Sequence, residues 1–385
     1  MTNPILPQLL PFFRRIALFV IFTMSTGVGL EAFLAATSLF TDLPFPRPSY
    51  DRTFVNRKSL HADINPVFGV WHQRNYRARQ TGPCFDAMFT TNRWGARDDS
   101  WMPTPGMPRG ILLGDSYMEG YGVNEKERAS EIFEQATDTK LLNLAVAGHC
   151  GPTQYRLIYE TFKDSLAHDF VLVGLNLPNE LDDEDISKWK TRKRYRPYLE
   201  GTYPDYKLTY ATVPLKRSVY ASQKTKPSLA KNFLSEYSSL YHCITYIMDH
   251  GPSPSEHLEG RLINKLPRRK FNRESALKVV YNVERIQRLA GNKPVYVFFV
   301  PNLSFFEDNN NPAFIFIREH LQEKKIRILD LHRYLTKQNA PKLFLECDVH
   351  WNVAGNARVG EALGAAFSNF RTGSNLRAAR EQKSK

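Results

Sequence analysis

Four short segments of this chain carry residue types that could perform acyl chemistry together. Gly114-Asp115-Ser116 follows an apolar run and lifts a hydroxyl onto the loop that leaves it. Gly148 closes Asn143-Leu-Ala-Val-Ala-Gly148, where a glycine permits close backbone approach and an N–H facing a developing negative charge. Pro178-Asn179-Glu180 offers an amide that can donate to the same charge. Asp348-Val349-His350-Trp351-Asn352 sets a carboxylate two residues from an imidazole, which it can orient and stabilise when protonated. A neutral serine is a poor nucleophile, so Ser116 requires a base such as His350. Each segment alone has a plainer reading: a turn, a strand-to-loop glycine, a helix cap, a capped helix start.

The four can act together only if the elements between them bring their ends to one place. Apolar runs at 110–114, 141–146, 170–175, 294–300 and 326–330 read as buried strands. Helical stretches fall around 125–136, 153–165, 274–290, 312–323 and 353–368. This alternation predicts a parallel sheet covered on both faces. In such sheets ligands bind beyond the carboxyl ends of the strands, which is where the four segments stand.

The order Ser116, Gly148, Asn179, then Asp348 and His350 resembles that of the SGNH/GDSL hydrolases over about residues 110–370. The resemblance implies a three-layer α/β/α, flavodoxin-like fold, with Ser116 as nucleophile, His350 as base and Asp348 orienting it. It implies an oxyanion hole made by the Ser116 N–H, the Gly148 N–H and the Asn179 side chain. The chain departs from the family's pattern at two blocks. Pro178-Asn179-Glu180 stands where Gly-Asn-Asp is usual, and Asp348-x-His350-Trp351 where Asp-x-x-His is usual. The shorter final block is similar to that of envelope SGNH-like proteins of polysaccharide O-acetylation. The implied activity is that of a serine esterase acting on O-acetyl or similar ester groups of a carbohydrate or envelope glycan, through an acyl-enzyme. An O-acyltransferase, a lipid esterase and a non-catalytic glycan-binding scaffold are the alternatives. No cofactor is expected, and no cysteine–histidine cluster has metal-ligand spacing.

Appendages surround this core. Mean hydropathy is −0.42, which argues against a polytopic membrane protein. The one long apolar run, Ile16 to Phe40, carries a single charge at Glu31 and follows Arg14-Arg15. It reads as a membrane anchor or a signal segment (1–42) holding the catalytic domain outside the cytoplasm. A proline-rich connector (43–60), a hydrolase domain (61–370) with an insertion at 182–270, and a basic disordered tail (371–385) complete the expected organisation. The net charge of +13 is concentrated in Lys188–Arg196 and Arg268–Lys270. It suggests an anionic partner such as a glycan or a membrane surface, with nucleic acid ranked last for an exported domain. The insertion's tyrosines (195, 198, 203, 206, 210) could stack on sugar rings, or the insertion could simply cover the core. Of the four cysteines, Cys150 and Cys347 flank the expected site and could pair in an oxidising compartment.

Overall fold

The computed structural model describes residues 6–41, 43, 45, 47, 48, 63–189, 195–210, 229–250, 271–302, 306, 311–335 and 342–383, except 83, 103, 104, 149 and 347. The chain divides into two compact units. One comprises residues 1–57, 81–84 and 227–256; the other comprises 58–80, 85–226 and 257–385.

The larger unit is built on five parallel strands: β5 (Arg109–Leu113), β6 (Lys140–Asn143), β7 (Phe170–Leu175), β10 (Val295–Phe299) and β11 (Arg327–Ile328). Their spatial order is β11-β10-β7-β5-β6. Counting these strands from β5 as the first, the order is 2-1-3-4-5 read from the β6 edge, the flavodoxin-like doubly wound arrangement expected from the sequence. The order reverses at β5, so the crevice of the switch point opens where β5 and β7 end.

Side-chain alternation along the strands assigns the two faces. Ile111, Leu113, Val171, Val173, Val295 and Val297 point into one apolar cluster with α4 (Pro152–Phe162), α9 (Arg273–Ala290) and α10 (Pro312–Glu323). Leu112, Phe170, Leu172, Tyr296 and Phe298 point into the other with α3 (Ala129–Thr137) and α11 (Val353–Lys383). Phe133 and Phe367, both fully buried, meet there with ring centroids 5.3 Å apart. Each such side chain contributes about 1.5–3 kcal/mol by leaving water. The helix α11 runs on to Lys383, so residues 371–383 are helical rather than the irregular tail expected from their composition.

Between the apolar helix and β5, four short strands form among the described residues, in a stretch without clear hydrophobic periodicity. β1 (Asp63–Asn65) pairs with β2 (Gly69–Trp71), and β3 (Arg77–Thr81) with β4 (Asp86–Thr90). They are too short to leave a periodic signature. Arg97, almost wholly buried, ties this cover to the core by donating to the carbonyls of Glu119, Gly120 and Val123.

The smaller unit contains α1 (Leu6–Thr37), α7 (Leu229–Tyr237) and α8 (Ser239–His250). Thus residues 227–256 of the expected insertion fall in the same unit as the N-terminal helix, and 257–270 in the larger one. Residues 14–37 of α1 are long and apolar enough to cross a membrane, with mean hydropathy 1.8.

Candidate active site

Ser116 opens α2 (Ser116–Glu119), one residue beyond the loop that ends β5. Asp115 caps that helix, its carboxylate accepting the Tyr117 N–H at 3.0 Å. Gly114 has another role than the sharp turn its sequence suggests: a Cβ there would stand 2.6 Å from Met118 Cγ, so the position is small because α2 packs against it.

His350 reaches Ser116 from the other end of the chain, with Nε2 2.6 Å from the Ser116 Oγ. Its Nδ1 is hydrogen-bonded to Asp348 Oδ1, and its own backbone N–H donates to that same oxygen at 3.1 Å. Asp348 is half-buried. Burial works to raise its carboxyl, but the bonds and charge from His350 outweigh this and hold it below the usual carboxylate range. The imidazole lies between two tyrosine rings, Tyr117 at 4.8 Å and Tyr121 at 4.4 Å between centroids. Tyr121 is half-buried and its phenol is pushed up to about 12, by burial first and then by the carboxylates of Asp348 and Glu119. Burial pushes the Tyr117 phenol well up too, so both tyrosines are neutral near pH 7.

The loop carrying His350 is fixed at its base. Trp351 is buried, donates from Nε1 to the Pro301 carbonyl at 2.8 Å and packs edge-on against Tyr117. The Tyr117 hydroxyl donates to the Val349 carbonyl at 2.7 Å. Asn352 secures the loop's return by donating to the Phe344 carbonyl at 2.9 Å. The residue after His350 in the shortened final block is thus the anchor of the loop.

Gly148 lies on the loop after β6 with φ +91°, a conformation that a side chain would strain. Asn179 stands on α5 (Leu177–Asp183), exposed, with its Nδ2 donating to Asp115 Oδ2 at 3.1 Å. One amide hydrogen is thereby committed to Asp115 and the other remains for a ligand. The same Asp115 oxygen accepts from Asn176 Nδ2 at 2.7 Å, and Asn176 Oδ1 in turn accepts from Asn302. This relay joins the carboxyl ends of β5, β7 and β10. Neither Asn176 nor Asn302 stood out in the sequence, because a lone Asn at a strand end has no distinguishing spacing. Asp115 is fully buried, and burial raises its carboxyl despite these donors. Glu180, in the first turn of α5, is fully buried; burial pushes its carboxyl well up, and Tyr155 donates to it at 3.0 Å.

A second buried pair supports the loop that carries Gly148. His72 Nδ1 is 2.9 Å from the Gly95 carbonyl, so it must donate there. His72 Nε2 lies 2.6 Å from Glu119 Oε1, within hydrogen-bond distance, and the same Glu119 oxygen accepts the Ala147 N–H at 3.0 Å. Glu119 closes the helix begun by Ser116, and Ala147 precedes Gly148. One carboxylate thus sets the spacing between two candidate oxyanion donors. His72 escaped the sequence reading because its partner is 47 residues away.

Two expectations need correction, and of the two readings open for the insertion's tyrosines the contacts favour a cover for the core. Cys150 is a buried free thiol, so it does not pair with Cys347; Cys84 is disulfide-bonded, and Cys347 lies outside the described residues. Arg196 is buried rather than exposed to a substrate. It pairs with Asp183 at 3.1 Å and donates to Gln154 at 3.2 Å; Lys190 to Arg194 lie outside the described residues. The insertion's tyrosines are bonded to the rest of the fold. Tyr195 and Tyr210 stack on each other and donate to the Pro66 and Val67 carbonyls, while Tyr203 and Tyr206 donate to Glu284 and Glu274 on α9. Tyr198 is buried on β8 (Pro197–Glu200), so these rings cover the core.

A test follows from the Arg196 pair. Arg196→Ala leaves the Asp183 carboxyl buried without its cation, which costs about 3–5 kcal/mol of stability. Burial already pushes Asp183 up to about 6 against the counteracting charge of Arg196, and the variant raises it further. A carboxyl raised above its unfolded value loses its contribution as pH rises through the folded value. The deficit measured by urea unfolding is therefore expected to be small near pH 4 and largest above pH 6, with little change in KM for a small neutral ester.

Among the described residues, no group of three or more His, Cys, Asp or Glu is arranged to hold a metal ion. No family model matches the chain, and no curated protein matches it. Among solved structures, the chain is similar to a member of the lipolytic protein G-D-S-L family from Veillonella parvula, at 12% identity and TM-score 0.34, over 68% of this chain and 98% of that one. It is also similar to a GDSL-like lipase from Bacteroides thetaiotaomicron, at 10% identity and TM-score 0.36, over 71% of this chain and 91% of that one. A carbohydrate esterase family 2 enzyme from Corynascus thermopiles (Myceliophthora fergusii) is similar at 14% identity and TM-score 0.35, over 70% of this chain and 68% of that one.

Proposed function

We propose that this chain is a serine esterase of the SGNH/GDSL type, held at a membrane by α1, that removes or moves a small acyl group on an envelope glycan. The observation that carries the proposal is the alignment of Ser116 Oγ, His350 Nε2 at 2.6 Å, and Asp348 on the far ring nitrogen. In the proposed reaction, Ser116 Oγ attacks the ester carbonyl as His350 Nε2 takes its proton. Asp348 accepts from Nδ1 and stabilises the imidazolium, which Tyr117 and Tyr121 enclose. The tetrahedral oxyanion is stabilised by the N–H groups of Ser116 and Gly148 and by the second Asn179 amide hydrogen. His350 then protonates the leaving alcohol, giving an acyl-enzyme. Water completes hydrolysis by the same route; a sugar hydroxyl in place of water completes acyl transfer.

The preference for a small acyl group rests on the resemblance of the Asp348-x-His350-Trp351 block to that of envelope proteins of polysaccharide O-acetylation. The preference for a glycan rests on the apolar run of α1 with Arg14-Arg15 just ahead of it, which would place the domain outside the cytoplasm, and on the charge of +13. A fluorophosphonate probe should label Ser116, and hydrolysis of nitrophenyl esters should fall steeply from acetyl to octanoyl. Absence of labelling would refute the esterase, whereas a preference for octanoyl would favour the lipid-esterase reading.

A further inference from the structure

Glu31 is the only charge within an otherwise apolar run, and the fold gives it partners. Its carboxylate accepts from Ser238 Oγ at 2.7 Å, from the Ser239 N–H at 2.6 Å and from the Leu240 N–H at 3.0 Å. Glu31 therefore caps the start of α8. If Arg14 and Arg15 mark one boundary of the bilayer, Glu31 stands about 22 Å beyond Ile16, inside a hydrocarbon core of about 30 Å. A carboxylate at that depth is costly unless partnered. The turn between α7 and α8 must therefore reach the same depth.

The composition of α8 suits that location. From Ser239 to Met248, α8 carries no Asp, Glu, Lys or Arg. Two of its polar side chains bond within the hairpin: His242 meets the Ser235 carbonyl at 2.7 Å and Thr245 donates to the Tyr241 carbonyl at 3.0 Å. Ile244, Ile247 and Met248, at i, i+3 and i+4, expose one apolar stripe, with Met248 78% exposed; Phe233 on α7 is 51% exposed. Tyr246 packs against Phe45, eight residues past the end of α1, with ring centroids 6.4 Å apart. So α8 climbs from the level of Glu31 toward the point where the chain has left the span.

We propose that α7 and α8 form a second membrane-inserted element, a hairpin that dips beside α1 into the leaflet from which the chain emerges, with its apolar stripe against lipid acyl chains. This rests on the reading of α1 as a membrane span, and the test separates the two. In a Cys243→Ser background, full-length protein is reconstituted into phosphatidylcholine–phosphatidylglycerol vesicles with a bimane label at Ile244→Cys, at Met248→Cys, or at Val20→Cys as reference within the span. Nitroxides on the lipid acyl chains should quench all three labels, and aqueous iodide none. Quenching of 244 and 248 by iodide, with Val20 still quenched by lipid nitroxide, would leave the span and overturn the hairpin. Loss of lipid quenching at Val20 would overturn both. If neither agent quenches 244 and 248 and the two positions cross-link between copies, a second molecule covers the stripe and lipid does not.

Discussion

Ser116→Ala is expected to lower kcat toward a nitrophenyl acetate by about 10⁶-fold, and His350→Ala by a similar factor. The two losses should not add, because either change removes the same proton transfer across the 2.6 Å contact. A residue of catalysis above the uncatalysed rate should survive in both, since the backbone donors at Ser116 and Gly148 are untouched. Asp348→Asn should cost less, on the order of 10⁴, by presenting the wrong hydrogen-bonding group to Nδ1. Ser116 is only half-buried, so its truncation should leave thermal unfolding nearly unchanged. Steady-state kinetics with matched unfolding curves check both halves. Near wild-type turnover by Ser116→Ala would end the mechanism.

The second large effect is expected away from the reacting atoms, at Glu119. Truncation to Ala strands the buried His72 ring and the Ala147 N–H together, and about 3–5 kcal/mol of stability should be lost. A group that only held the core would stop there. Because Ala147 adjoins Gly148, the variant should also lose about 10²–10³ in kcat, the usual consequence of displacing an oxyanion donor, with KM little changed. Glu119→Gln should restore only part of the loss, since the single atom that replaces Oε1 can meet either the His72 ring nitrogen or the Ala147 N–H in full, but an amide cannot serve both as the carboxylate oxygen does. A double-mutant cycle with His72→Ala should show strong coupling. A variant that is destabilised but retains wild-type kcat would confine Glu119 to a structural role.

The sequence determined the scaffold because its signals were local. The runs of Ile111–Leu113, Val171–Leu175 and Val295–Phe299 could be satisfied only by burial on both faces, and the helices between them forced the strands parallel. Parallel strands end at one edge, so the alternation of elements alone confines Ser116, Gly148, Asn179 and His350 to that edge. Spacing could not reveal which polar side chains would meet across that edge. The contacts of Asp115 with Asn176 and Asn179, and of His72 with Glu119, join segments 47 to 64 residues apart and leave no periodic trace. Tertiary structure also decided the meaning of charges whose sequence context was misleading. Arg196 sits in a basic run yet is drawn inside by Asp183, because a buried carboxylate needs a cation more than the surface does. Glu31 interrupts an apolar helix, and only the packing of α8 beside α1 shows what that carboxylate binds. Local pattern fixed where each backbone element lies, while the pairing of buried polar groups depended on contacts distant in the chain.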